Sequence, residues 1–128
     1  GYDLRIIIVG DKAFGYYKML PKNDFRASGS MHIQKTTLPA EAVEIALDIK
    51  NKFNHVFLAV DFLEDSTNDK FLVIETSVFV DIYTSSQSIV NGLPGYYKIS
   101  TAPFKMEFCQ GEVWLQELIL EELLKGKP

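Results

Sequence analysis

Two runs of the chain, Val56–Leu63 (VFLAVDFL) and Phe71–Ser77 (FLVIETS), decide the fold that we expect. Both runs are rich in β-branched and aromatic residues, as strands are. The short stretch between them is polar and turn-prone, which predicts a β-hairpin folded about Asn68. In that hairpin Asp61 lies opposite Glu75, because both are equally far along the chain from Asn68.

The opposed acids Asp61 and Glu75 predict a metal site. Their side chains leave the same face of the sheet, with Cβ atoms about 5 Å apart, and like charges placed directly opposite each other destabilise a sheet. A cation between them removes this repulsion, and Mg²⁺ binds one or two carboxylates together with phosphate oxygens and water. Ser77 lies two residues beyond Glu75 and therefore faces the same way, so its hydroxyl is a candidate weak ligand. The alternative is a pair of acids on a solvated face, each paired with a surface lysine.

The rest of the pattern predicts an α+β domain with a mainly antiparallel sheet and two helices. Leu4–Val9 and Ala13–Leu20 are interpreted as the strands of a first hairpin, and His32–Thr37 as a short extended piece. Residues 78–110 are interpreted as a long irregular region, and the second helix is expected at about 113–125.

The first helix begins at Pro39, a residue that suits the first helical turn, and Glu41 and Glu44 favour the positive end of the helix. The apolar residues that follow helical spacing in this helix are Ala42, Ile45, Ala46, Ile49 and Phe53. The apolar flank predicted for the second helix comprises Trp114, Leu115, Leu118, Ile119, Leu120, Leu123 and Leu124.

Composition restricts the class of protein. The chain has 128 residues, 47% of them hydrophobic, which predicts a single domain, residues 1–128, with a core of its own. A net charge of −4 does not support binding to nucleic acid. Cys109 is the single cysteine, which fits a reducing cytoplasm, and no apolar run approaches the roughly 18 residues of a membrane span. Because the chain begins with Gly1 and a strand follows almost at once, we expect a fragment of a longer protein.

Basic residues near the apolar runs are candidate anion ligands. Arg5 and Arg26 both lie at the edges of apolar segments, and a guanidinium group matches the oxygens of phosphate or carboxylate. Lys18 interrupts an aromatic strand and either reaches into a cleft or extends to solvent. The alternative for each arginine is an ordinary surface salt bridge, for which Arg5 has Asp3 within reach.

Four segments carry a resemblance to a known family: Asp3–Lys12 (DLRIIIVGDK), Asp24–Ser28 (DFRAS), Val60–Phe62 (VDF) and Val73–Ser77 (VIETS). In this order and spacing they resemble the C-terminal part of an ATP-grasp domain. The branch is that of the carboxylate–amine ligases, which includes the glutamate ligases that modify ribosomal proteins. The resemblance covers roughly residues 3–90, and residues 93–128 are interpreted as a branch-specific tail.

The resemblance implies an enzyme that uses ATP and Mg²⁺ (or Mn²⁺) to activate a carboxylate as an acyl-phosphate, which an amine then attacks. The carboxylate and amine belong to small molecules or peptides. By this analogy the site residues are Asp61, Glu75 and Ser77 for the metal, Arg5, Lys18, Leu63 and Ile74 for the nucleotide, and Arg26 as the catalytic residue that steadies the transferred phosphoryl group. Leu63 and Ile74 would form the floor of the adenine pocket.

The chain departs from the family pattern in two ways. The Glu-x-Asn of the family is Glu75-Thr76-Ser77 here, and a hydroxyl is a poorer metal ligand than an amide oxygen. The earlier subdomain, which holds ATP from the other side, is not visible in the sequence. We therefore expect the C-terminal part of a ligase, inactive by itself, with the loop Asn91–Tyr97 near the substrates. The alternatives are a non-catalytic binding or assembly module that reuses the fold, and a fragment whose uncovered surface makes it dimerise.

Overall fold

The structure, a computed structural model, describes residues 2–19, 32–34, 37–65, 70–78 and 88–125. Within these ranges the chain forms eight strands and two helices: β1 (Tyr2–Val9), β2 (Lys12–Met19), β3 (His32–Gln34), α1 (Ala40–Lys52), β4 (Phe57–Asp65), β5 (Lys70–Ser77), β6 (Ser88–Val90), β7 (Leu93–Ser100), β8 (Lys105–Gln110) and α2 (Leu115–Lys125).

All strands join one antiparallel sheet, in the order β5-β4-β1-β2-β7-β6, with β3 added beside β2 and β8 beside β7. The predicted α+β class, with a mainly antiparallel sheet and two helices, is confirmed. The first hairpin and the central hairpin lie where the sequence placed them. No helix in the described ranges is long and apolar enough to span a bilayer.

The two faces of the sheet hold separate apolar clusters, and β1 contributes to both. Leu4, Ile6 and Ile8 pack on the face that α1 covers. Ile7 and Val9 pack on the opposite face, which α2 covers. Because both faces are covered, β1 is a nearly continuous apolar run rather than an alternating one.

Helix α1 presents a slightly different face to the sheet than the sequence predicted. Its buried apolar residues are Ala42, Val43, Ala46 and Leu47, whereas Ile45 and Ile49 are only partly buried. The prediction was wrong for Phe53, which is 59% exposed. Phe53 is the C-terminal cap of the helix, at the end where the chain leaves α1.

Helix α2 also buries less than predicted. Leu115 is buried, and Leu118 and Ile119 pack against the same cluster. The other members of the predicted flank are exposed: Trp114, Leu120, Leu123 and Leu124.

The interpretation of residues 78–110 as irregular was wrong, because β6, β7 and β8 lie within this range. Asn91 and Gly92 connect β6 to β7, and both have positive φ, 53° and 78°. A two-residue Asn-Gly connection with positive φ at both positions is the strongest short hairpin signal in a sequence. It outweighs the neighbouring proline and glycine, which suggested a loop.

The core arrangement predicts different costs for two phenylalanines. Phe62 is fully buried and its ring lies edge-on to that of Phe71, with centroids 6.2 Å apart. We expect Phe62→Ala to lower the free energy of unfolding by about 3–5 kcal/mol. Phe53→Ala is the matched control and should cost less than about 1 kcal/mol, since that ring is mostly solvated. Urea denaturation followed by circular dichroism measures both, and equal losses would contradict this packing.

Candidate functional site

Four polar side chains form a row across four adjacent strands. Arg5 in β1 pairs with Tyr16 in β2 on one side and with Asp61 in β4 on the other. Asp61 in turn pairs with Glu75 in β5. The predicted opposition of Asp61 and Glu75 is therefore confirmed. Directly paired residues share a face of the sheet, so all four belong to the face that α2 covers further along the strands.

Arg5 and Asp61 form a bidentate ion pair at the centre of this row. The Nε of Arg5 donates to Oδ1 of Asp61 at 2.8 Å, and its Nη2 donates to Oδ2 at 3.0 Å. The two side chains are largely buried, with exposures of 20% for Arg5 and 12% for Asp61. The hydrogen bond with Asp61 raises the pKa of the Arg5 guanidinium above its usual range, although burial acts in the opposite direction. The pair therefore remains ionised on the arginine side at any ordinary pH.

Tyr16 supports Arg5 from the other side. Tyr16 is 5% exposed and lies directly opposite Arg5, and its phenol raises the pKa of the guanidinium further, after the larger effect of Asp61. Tyr16 was not among the residues predicted to lie beside Arg5. A tight two-residue turn at Gly10-Asp11 would have revealed it, because that turn length places position 16 opposite position 5.

The ion pair rules out the two surface salt bridges that were considered as alternatives. Asp61 is paired with Arg5 rather than with a surface lysine, and Arg5 is paired with Asp61 rather than with Asp3. The physical reason is the register of β1 and β4, which places Arg5 directly opposite Asp61. Because Arg5 already neutralises Asp61, the repulsion between Asp61 and Glu75 does not by itself require a bound cation.

A β-bulge brings Glu75 to Asp61. From Asp65 to Phe62 the pairs follow one register, with Phe62 opposite Val73, and the register shifts by one residue at Asp61. Ile74 is the extra residue on β5, a two-against-one arrangement that re-aims the side chains beyond it. The predicted register, which assumes a hairpin folded about Asn68, therefore holds from Asp61 onward but not for the pairs nearer the turn. Without the bulge, Glu75 would turn to the other face.

The predicted nucleotide-binding residues lie around the row. Lys18 is half-buried, pairs with Asp3 and lies two residues beyond Tyr16 on the same face. Leu63 lies on that face two residues beyond Asp61 and is opposite Leu72. Ile74 is the exposed bulge residue, so the structure does not place it directly across from Leu63. Leu72 was not a candidate, because no sequence signal locates a bulge in this strand.

Ser77 and Arg26 are the two remaining predicted site residues. Ser77 is half-buried and pairs with Ala59, on the same face as Glu75. Arg26 lies outside the described residues, so its predicted catalytic position is not tested.

The donor set fits a divalent cation that arrives with part of its coordination shell. The described residues include no cluster of three or more His, Cys, Asp or Glu side chains that would hold a metal. They provide two carboxylates, one exposed and one paired with Arg5, and a nearby hydroxyl. Mg²⁺ accepts such a small set when phosphate oxygens and water supply the other ligands.

The region that contains this row matches a family model. The model is that of the RimK-like ATP-grasp domain, and it matches residues 1–92. The chain belongs to this family. The resemblance to ATP-grasp domains that the sequence motifs carry is thereby confirmed. Residues 93–128, which include β7, β8 and α2, lie beyond the match.

A solved structure is similar in fold. It is the crystal structure of the macrocyclase MdnC bound with the precursor peptide MdnA, from Microcystis aeruginosa MRC. The match has a TM-score of 0.52 at 20% sequence identity, and it covers 66% of this chain but only 27% of that chain. At this identity the likeness shows the fold alone. None of the curated proteins is similar enough to be counted as a relative.

The ion pair predicts unequal effects of two isosteric changes. Asp61→Asn leaves the Arg5 guanidinium without a counter-ion in a mostly buried position, and we expect it to lower the free energy of unfolding by about 2 kcal/mol. Glu75→Gln changes an exposed side chain and should cost less than about 0.5 kcal/mol.

The same pair fixes the pH dependence of this difference. A group whose pKa is raised on folding contributes stability that is lost only as pH rises through its folded value. The Asp61→Asn deficit should therefore persist from neutral pH to at least about pH 10. Urea titrations at several pH values measure it, and a deficit that vanishes by pH 9 would argue against the pair.

Proposed function

We propose that this chain is the C-terminal part of an ATP-grasp ligase whose parent protein activates a carboxylate as an acyl-phosphate and joins it to an amine. The observation that carries the proposal is the opposition of Asp61 and Glu75 across β4 and β5, within the region that matches the family. Two carboxylates on one face, one of them exposed, suit the divalent cation that accompanies nucleotide phosphates.

Each predicted residue has a role in this proposal. Asp61 and Glu75 would hold Mg²⁺ or Mn²⁺, and Ser77 would contribute a weak oxygen ligand or orient a water. The cation would neutralise phosphate charge. Arg5 and Lys18 would contact the phosphates, and Arg26 would steady the transferred phosphoryl group. The nucleotide base would rest against an apolar floor to which Leu63 and Ile74 contribute, with Leu72 beside Leu63.

The arrangement suits phosphoryl transfer, because this chemistry depends on positioning and charge neutralisation more than on a protein nucleophile. The row supplies both requirements. Its carboxylates lie side by side on paired strands, and the Arg5 guanidinium is held next to them by two hydrogen bonds to Asp61.

The substrates and setting are proposed more coarsely. MdnC is a macrocyclase that was crystallised with a precursor peptide. By analogy, we propose that the parent of this chain acts in the cytoplasm on a carboxylate and an amine carried by peptides or small molecules. The loop Asn91–Tyr97 would lie near these substrates. The subdomain that holds ATP from the other side would come from elsewhere in the parent, so this chain alone would bind Mg-ATP weakly and not turn over.

A second candidate is a non-catalytic binding or assembly module that reuses the fold. Two observations favour it. Ser77 stands where the family pattern has asparagine, and Arg5 already occupies both oxygens of Asp61. A protein that had lost its metal would keep the fold through this internal pair.

Metal titration separates the two candidates. In the presence of ATP, we expect Asp61→Asn and Glu75→Gln each to weaken Mn²⁺ binding at least about tenfold, since each removes one carboxylate ligand. Water-proton relaxation enhancement measures the affinity, because it distinguishes Mn²⁺ with ATP on the protein from the same complex free in solution. The matched controls are Asp48→Asn and Glu44→Gln, which change exposed acids of α1 on the opposite face of the sheet and should leave binding unchanged. Circular dichroism confirms that each variant is folded. No Mn²⁺ binding by the unmodified chain with ATP would favour the non-catalytic module.

A further inference from the structure

We propose that Arg5 is an exchangeable counter-ion: it occupies Asp61 in the ligand-free protein and moves to a phosphate oxygen when a divalent cation binds that carboxylate. This inference rests on the proposed function of the row and adds a specific role for Arg5. It makes Arg5 the residue that couples metal binding to phosphate binding.

Asp61 cannot bind the Arg5 guanidinium and a metal ion equally well at the same time. Both of its oxygens accept hydrogen bonds from Arg5, at 2.8 and 3.0 Å. A metal bound to either oxygen at about 2.1 Å would lie beside the guanidinium. The repulsion between these two cations, close together in a mostly buried position, disfavours the metal while Arg5 remains in place.

The row offers little negative charge to offset the repulsion between the guanidinium and the metal. Asp61 is neutralised by Arg5, so Glu75 is the row's uncompensated carboxylate. One exposed carboxylate binds Mg²⁺ weakly, because this ion gives up its water reluctantly. A polyphosphate changes the balance, since it brings negative oxygens for the metal and for the released guanidinium at the same time.

Arg5 keeps one neighbour in the row, Tyr16, when it leaves Asp61. Tyr16 lies directly opposite Arg5 on β2, on the side away from Asp61, and its buried phenol also favours the charged guanidinium. Arg5 can therefore exchange one anion for another without leaving the row. A metal ion and a phosphate should then strengthen each other's binding by the same factor, on the order of 10–100-fold.

The test uses the side-chain Nε–H signals of arginine in a nitrogen-15 NMR spectrum of the unmodified chain. The sequence contains two arginines, Arg5 and Arg26, so two signals are expected. Arg5→Lys assigns them, because it removes one signal while keeping the charge. Without ligand, the Arg5 Nε–H should exchange slowly with water, since it is hydrogen-bonded to a largely buried carboxylate.

The expected result has two parts. Millimolar Mg²⁺ alone should leave the Arg5 signal in place, whereas Mg²⁺ with ATP should shift it and speed its exchange with water. The backbone signals of Glu75 should move in the same titration. If Glu75 responds to Mg²⁺ with ATP while the Arg5 signal keeps its position and protection, the exchange is wrong although the metal site stands. If neither responds, the proposed function fails, and the exchange with it.

A variant provides an independent readout. Arg5→Gln removes the competing cation, so Mn²⁺ alone should bind about tenfold more tightly than to the unmodified chain. The enhancement by ATP should fall toward unity, because no guanidinium remains to be transferred. Lys52→Gln, which removes an exposed cation on α1, is the control and should change neither quantity. An Arg5→Gln chain that is folded by circular dichroism, yet keeps the metal-alone affinity and the ATP enhancement of the unmodified chain, would overturn the proposal.

Discussion

The ion pair between Arg5 and Asp61 is the interaction on which the organisation of this sheet face depends. It joins the neighbouring strands β1 and β4, and two parallel hydrogen bonds link the guanidinium to both carboxylate oxygens. A largely buried charge without a partner is costly, so neither residue would be stable there alone. The pair divides the face into an apolar part, which Leu115 of α2 covers, and a polar row that ends at the exposed Glu75.

The polar row can be read from the sequence only in part. Alternation within β4 and the chain distance to β5 predicted that Asp61 faces Glu75, and this is correct. The reason was incomplete, because the register is shifted near the turn and Ile74 restores the pairing by bulging out. No residue pattern in Phe71–Ser77 marks that bulge. The Arg5–Asp61 pair could not be predicted either, because it depends on the register between β1 and β4. These strands are neighbours in the sheet, but β2, β3 and α1 lie between them along the chain.

In the C-terminal third of the chain, by contrast, the sequence contains a clear strand signal that was not recognised. Residues 93–128 lie beyond the family match. Their strands, β7 and β8, were interpreted as loop because proline and glycine occur at the start of this segment. The information was present in Asn91-Gly92, whose positive φ angles close the β6–β7 hairpin. In the structure this segment extends the same sheet, because Lys12 and Ala13 of β2 pair with Lys98 and Tyr97 of β7. Here the Asn91-Gly92 turn predicts the strands better than the resemblance to the family does.

We propose that the carboxylates of Asp61 and Glu75 bind one divalent cation together with nucleotide phosphates. Anomalous diffraction from crystals grown with Mn²⁺ and ATP would locate that cation. We expect a manganese peak about 2 Å from oxygens of both carboxylates, with the Arg5 guanidinium turned from Asp61 toward a phosphate. A nucleotide bound with its metal elsewhere, beside an unbroken Arg5–Asp61 ion pair, would rule out this arrangement.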